Sequence, residues 1–328
     1  MAATAELTSK TGHLRIGPVD SLNDSRVHAL FEEVFGVVKA RAWWQWKYGD
    51  GRGFAFGAWR DETLVAHYAA FPRRIHWRGE VIPAFQVGDV MVKASERGVL
   101  TRRGLFQRCA AAFQETWVGY GRPFLLGFGF PNLRAMRLAE RLGLYARVDR
   151  MHEFRWPPLP DRPRWRSRIR HFRPESDAPL VDALWARMRH DLNGCLTGER
   201  CFPFLVHRYL HHPEHRYECL LLEARLLRQP LGLIVLRRDG DRWLWVDWLG
   251  GAADLGEALA QARRMVTRLG GKELYTWAST VPAGRLTALG GTATPLEVHV
   301  PTGIWTEGPS PESLRERWWL MPGDTDFF

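Results

Sequence analysis

The chain has no apolar run of about 18 residues, the length that a membrane-spanning helix needs. Its start, MAATAELTSKTGH, lacks the charged-then-apolar pattern of a secretory signal. No membrane span is therefore expected, and a cytoplasmic location is. Cysteine is scarce, with four in 328 residues (109, 195, 201 and 219) and no C-x-x-C pair. Buried, reduced thiols are expected rather than a disulfide framework. No Gly-x-Ser-x-Gly, Walker loop or dinucleotide fingerprint occurs, which argues against a serine hydrolase, a P-loop nucleotidase and a nicotinamide-binding fold. Lysine is sparse too, so the net charge of +10 comes almost entirely from arginine. Those arginines are spread along the chain, whereas nucleic-acid binders concentrate charge on one element. The densest run, RPRWRSRIRHFR at 162–173, alternates with apolar residues and reads as a linker entering a strand. No nucleic-acid partner is expected; the charge reflects arginine-rich codon usage or attraction of an anion such as CoA or an acidic membrane. What the chain does have is 45% hydrophobic residues and 16 tryptophans, enough to build the cores of two ordinary domains.

Periodicity divides the chain into two similar halves. In the first, strands are expected at 13–19, 54–59, 64–71, 74–77, 83–92, 123–129 and 144–155, and helices at 23–35, 40–46, 102–118 and 132–142. Four prolines within 156–163 cannot lie in a helix or a central strand and mark a domain boundary. The second half repeats the order, with strands at 167–173, 216–223, 231–237, 243–248, 274–278 and 293–300, and helices at 176–189, 254–269 and 281–289. An α/β fold follows, with two tandem domains at 1–157 and 158–328, each a mixed, mostly antiparallel sheet flanked by helices.

Two stretches carry the functional signal. Residues 85–118 read strand, basic glycine-containing turn, helix; residues 125–148 read strand, Pro-Asn break, helix, strand. A helix start presents unpaired N–H groups and a partial positive charge, which suits phosphate. This order resembles the GNAT acetyltransferase superfamily, in which the loop after the fourth strand, Gln/Arg-x-x-Gly-x-Gly/Ala, binds the pyrophosphate of acetyl-CoA. The matching segment here is Thr101-Arg102-Arg103-Gly104-Leu105-Phe106, in which Gly104 fits, Thr101 replaces Gln/Arg and Phe106 replaces the last small residue. Arg-Gly-Leu-Phe resembles a branch of large bacterial acyltransferases from polysaccharide gene clusters. The resemblance implies acetyl-CoA or another acyl-CoA as donor and an amine of a small molecule or sugar as acceptor. It also implies a cofactor site built from 101–106, with Arg97, Arg102 and Arg103 on the phosphates, the backbone of Val90, Met91 and Val92 along the pantetheine arm, and Asn132 beside it. The same arginines fit a solvated turn, and Asn132 fits a plain helix cap. The second half has Leu249-Gly250-Gly251-Ala252-Ala253-Asp254 in place of the basic turn, so it reads as a degenerate copy.

Acyl transfer to an amine needs a base and a way to accommodate the leaving thiolate. Asp89, on the fourth strand, is a candidate base or a structural ion-pair partner, and Glu96 is a weaker candidate. The tyrosine that the family uses as acid is replaced by Ala139, with Tyr145 offset. The tail, ERWWLMPGDTDFF, is aromatic enough to dock, and docking offers Asp324 and Asp326 as further catalytic carboxylates beside a purely structural role. Trp43, Trp44 and Trp46 offer either a substrate wall or core packing. His207 and His211 are four residues apart in HRYLHHPEHR, yet no Glu or Cys completes a zinc pattern, so no metal is expected. Rival readings are a non-catalytic binding protein, a basic nucleic-acid-associated protein, and an acyltransferase that takes a long-chain or acyl-carrier-protein donor.

Overall fold

The computed structural model describes residues 13–97 and 104–325. Its first half runs β1 (Leu14–Val19), α1 (Ser25–Phe35), α2 (Arg41–Tyr48), β2 (Phe54–Arg60), β3 (Thr63–Trp77), β4 (Glu80–Val92), α3 (Leu105–Trp117), β5 (Leu126–Phe128), α4 (Leu133–Arg141) and β6 (Tyr145–Trp156). The second runs β7 (Ser167–His171), α5 (Pro174–Asp191), β8 (Leu196–Gly198), α6 (Phe202–Leu205), β9 (Glu218–Ala224), β10 (Pro230–Asp239), β11 (Arg242–Gly250), α7 (Leu255–Arg268), β12 (Glu273–Ala278), α8 (Thr280–Ala288), β13 (Thr294–Gly303) and β14 (Trp318–Trp319). The expected helices form because their apolar residues share one face; Val27, Leu30 and Phe31 of α1 are buried, and Asp24 caps it on the Arg26 amide at 2.9 Å.

Among the described residues the strands make two seven-stranded sheets. One follows β1-β2-β3-β4-β5 with β8 and β14 attached at β3; the other follows β13-β6-β12-β11-β10-β9-β7. The halves interlock through β6 and β13. β6 lies antiparallel between β12 and β13, in the sheet of the second half. β13 in turn reaches the first half, where the His299 amide donates to the Pro131 carbonyl at 3.0 Å and Asn132 bridges Val298. The proline-rich segment is coil, as its composition requires, and is held along α7 by Arg263 and Thr267 donating to Pro157 and Leu159 carbonyls at 2.9 and 2.6 Å. A cut at 157/158 would pass through that coil but would separate β6 from both its sheet neighbours.

Some elements depart from the periodicity. The expected strands 64–71 and 74–77 are one strand, β3, running through Pro72. Pairing with β2 ends at Ala70 and pairing with β8 begins at Ile75, so Pro72 sits where that edge is unpaired and its missing N–H costs no ladder bond. β8 and β14 were not expected. They are too short to show a period, and they pair parallel through Trp318↔Leu196 and Trp319↔Thr197. This pairing docks the tail, where Trp318, Trp319, Leu320 and Met321 are all buried.

Two predictions follow from this packing. A Cβ added at Gly323 would run into the Tyr209 hydroxyl and lie 3.2 Å from Asp247. Gly323→Ala should lower unfolding free energy by about 1–3 kcal/mol in urea titrations; an unchanged midpoint would mean the tail is loosely held. Asp149 of β6 accepts from the Thr280 hydroxyl at 2.6 Å, while its other oxygen is buried without a partner. Burial pushes its pKa up from the ordinary carboxylate value to about 6, against the opposing hydrogen bonds. A raised folded pKa stabilises below about 4 and loses that stabilisation as pH rises through 6, on the order of 3 kcal/mol. Asp149→Asn should therefore gain stability relative to wild type between pH 4 and 7.5; parallel melting curves across that range would contradict this.

Candidate active site

β4 and β5 pair in parallel only at Ala84↔Leu126, Phe85↔Gly127 and Gln86↔Phe128, and then part. Beyond Gln86, β4 stays on β3 but its other edge is open. A bulge breaks the β3 ladder between His67 and Ala69, and Asp89 sits there with φ of 47°, a left-handed conformation uncommon for a residue with a side chain. The strain is held by three contacts. Lys47 Nζ donates to Asp89 Oδ1 at 2.7 Å, the Tyr48 hydroxyl donates to Oδ2 at 2.5 Å, and His67 Nδ1 donates to the Asp89 carbonyl at 2.8 Å. Because that carbonyl can only accept, neutral His67 carries its proton on Nδ1, and its Nε2 accepts from Ser21 Oγ at 2.8 Å. Burial keeps the His67 pKa below its usual value, consistent with that neutral form.

The parted strands open into a cavity of about 600 Å³. Val87–Val90 form one wall, Gly129–Asn132 with Ala135 and Ala139 another, and Phe31, Phe35 and Trp43 a third. The second half adds Val298 and Pro301 of β13 and His212, Glu214 and His215. The wall is mostly apolar, and its charges come in pairs: Lys47 with Asp89, and Lys39 with Glu214 at 2.7 Å. His212 Nδ1 accepts from the Glu214 and His215 amides at 3.2 and 3.0 Å, which fixes its remaining proton on Nε2. Burial, reinforced by Arg208, pulls its pKa to about 3, so it stays neutral. The hydroxyls of Tyr68 and Tyr145 share a short hydrogen bond on the cavity wall. Burial raises both above the usual tyrosine value, so both remain protonated through the physiological range, one hydroxyl donating to the other.

Sequence-predicted residues are distributed as follows. Asp89, Val90, Phe106, Asn132 and Trp43 all line the cavity. Asn132 also caps α4, accepting from the Ala135 amide at 2.9 Å, so both of its readings coexist. Met91 is buried on the opposite face of β4, and Val92 packs on the core beneath α3. Gly104 is the extended cap residue of α3, which has no side-chain cap and no acidic residue in its first turn; Leu105 begins the helix. Arg97 donates to the Val92 carbonyl at 2.8 Å. Glu96 is held by Arg60 at 2.8 Å and does not line the cavity. Trp44 lies in the core against Tyr48 and His28, and Trp46 packs on His207 and His212 and donates to the His207 carbonyl at 2.8 Å. Asp324 is away from this wall, buried in the second half, where Arg200 donates to it at 2.7 Å. Thr101, Arg102, Arg103 and Asp326 lie outside the described residues.

The periodic reading missed Lys47, Tyr48, Tyr68, His212, Glu214 and His215. One signal for two of them was present. Lys47-Tyr48 and Arg208-Tyr209 are matching dipeptides, and each tyrosine bonds a later aspartate, Tyr48 to Asp89 and Tyr209 to Asp247 at 2.7 Å, 41 and 38 residues on. In the second half this arrangement is closed. Arg200 joins Asp247 at 3.0 Å and Asp324 at 2.7 Å, and the space beside it is only about 10 Å³. The tail fills the parting of β11 and β12. Ser279, which precedes α8 as Asn132 precedes α4, donates to the Trp318 carbonyl at 2.6 Å and accepts from the Leu320 amide at 2.8 Å.

Residues 20–145 match the family model of the acetyltransferase (GNAT) domain. The likeness to that family therefore lies within the first half, and the fold overall is two mixed α/β sheets flanked by helices. More particularly, it resembles a conserved protein of unknown function from Enterococcus faecalis V583, described as a probable N-acyltransferase, at 11% identity over 93% of this chain and 74% of that one (TM-score 0.69). It is also similar to a GCN5-related N-acetyltransferase from Anabaena variabilis at 14% identity over 89% and 73% (TM-score 0.65). A third similar structure is the N-myristoyltransferase of Saccharomyces cerevisiae with bound myristoyl-CoA, at 12% identity over 96% and 86% (TM-score 0.56). No curated protein matches the chain in sequence.

The Lys47–Asp89 pair is nearly sealed from solvent, so removing one partner leaves the other charge buried. Lys47→Met should cost about 3–5 kcal/mol, and adding Asp89→Asn should recover part of it. Additive losses in a denaturation cycle would mean the two do not interact.

Proposed function

We propose that the protein is an acyl-CoA-dependent N-acyltransferase whose donor enters the parting of β4 and β5 and whose acceptor is an amine of a small molecule or sugar. The observation that carries this reading is the cavity at that parting, lined by Phe106 of the first turn of α3 and by the paired charges Lys47–Asp89 and Lys39–Glu214. The residues fit such a donor. The first amides of α3 lack a side-chain partner and suit phosphate. The open edge of β4 along Val87–Val92 offers backbone groups to an amide-bearing arm. When bound, the CoA thioester supplies the activated acyl group.

The chain's own groups then position and solvate. Tyr145, kept protonated by burial, suits donating a hydrogen bond to a departing thiolate more than giving up its proton, because its pKa lies far above that of a thiol. Both Asp89 oxygens accept hydrogen bonds, so serving as base would require it to release Lys47 or Tyr48. Its role in this reading is to hold the bulge and Lys47 at the site. A donor with a chain longer than acetyl is a second reading, favoured by the volume and apolar lining of the cavity.

Calorimetric titration with acetyl-CoA and a series of longer acyl-CoAs tests both readings. Saturable binding is expected, with the tightest chain length identifying the donor. Gly104→Glu places a carboxylate at the start of α3 and should weaken binding at least about tenfold while the protein still melts cooperatively. Unchanged affinity in that variant would remove the site assignment.

A further inference from the structure

The three most exposed large apolar side chains among the described residues are Leu226, Leu227 and Trp165, at 88%, 81% and 79%. They meet at one end of the second sheet. β7 pairs with β9 through Ser167↔Ala224. Just beyond, the Arg225 amide donates to the Arg166 carbonyl at 3.0 Å and Arg225 Nη1 to the Arg164 carbonyl at 3.2 Å. Residues 162–166 thus lie beside the β9–β10 turn that carries both leucines.

The surroundings are basic, and Asp254, which Arg187 already holds at 3.3 Å, is a further carboxylate that acts on them, through Arg166. Arg162, Arg166, Arg225 and Arg228 are exposed and form no ion pair among the described residues. The nearby carboxylates are already engaged: Glu257 by Arg164, Asp161 by Arg268, and Glu223 by Arg168 and Arg170. The turn is also fixed in shape. The Arg228 amide donates to Ala224 at 3.0 Å, the Ala224 amide to Gln229 at 2.8 Å, and Arg228 takes φ of 57°. Little ordering is left to impose when something binds it.

We propose that residues 162–166 and 225–228 form a docking surface for anionic phospholipid membranes. The surface is a projecting turn with apolar side chains at its tip and arginines around it. Leucines suit shallow insertion, tryptophan favours the bilayer interface, and guanidinium groups held in no ion pair match lipid phosphates. A protein partner would have to offer a recess for the tip; a bilayer accepts it anywhere. β7 is the strand of its sheet farthest from β13, so the surface is remote from the cavity, and this inference stands independently of the proposed activity.

Co-sedimentation of the full chain with phosphatidylcholine vesicles, and with vesicles that also contain phosphatidylglycerol, tests it. Binding is expected only to the anionic vesicles, weakening as salt rises. Two variants, Leu226→Ser/Leu227→Ser/Trp165→Ala and Arg166→Gln/Arg228→Gln, should each lower vesicle affinity at least about tenfold with an unchanged melting temperature. Absence of binding to anionic vesicles would overturn the proposal. So would variants that bind as wild type does, or a surface whose substitution affects only self-association or retention by another protein.

Discussion

The interlocking of β6 and β13 is the constraint on which the rest of the structure depends. Each half contributes a strand to the neighbourhood of the other: β6 is clasped between β12 and β13, and β13 reaches Pro131 and Asn132 at the start of α4. Val298 and Pro301 thereby become part of the cavity wall, and the segment carrying His212, Glu214 and His215 closes another side, tied across by the Lys39–Glu214 pair and by Trp46. Parting the halves would open buried backbone on both sides and remove a wall of the cavity. The second half is structurally necessary to the first whether or not it binds anything itself.

The two halves handle the same local arrangement differently. In both, a tyrosine donates to an aspartate of the strand that parts from its parallel neighbour. In the first, a single lysine balances Asp89, and the space beyond the pair remains open. In the second, one arginine is shared by Asp247 and Asp324, and the tail that brings Asp324 also fills the parting of β11 and β12. A buried guanidinium with its planar fork can hold two carboxylates where an ammonium acts as a point charge. The closed copy contributes stability, and the open one retains room for a ligand.

Much of this was legible in the sequence where a local pattern encodes it. The order of strands and helices, the Asp24 cap and the docking of the aromatic tail follow from periodicity, cap chemistry and hydrophobicity. Asp89, Asn132 and Trp43 do reach one cavity. What was not legible is non-local. Which sheet β6 joins cannot be read from its own alternation, since either neighbour would bury the same face. β8 and β14 are too short for a period. Pro72 suggested a break that an unpaired edge made unnecessary. The histidine-rich run carried an incomplete zinc spacing and no sign of a partner, and only tertiary contact shows it packed on Trp46. Asp324 was drawn toward the chemistry by its place in the tail, whereas Arg200 holds it in the core.

The most direct test of the account is hydrogen–deuterium exchange of the full chain with and without saturating CoA. The account predicts slowed exchange along 87–92, at 104–108 and at 129–135, with 245–250 and 276–283 unchanged because the tail already covers them. Protection confined to the second half, or no protection at the parting of β4 and β5, would contradict it.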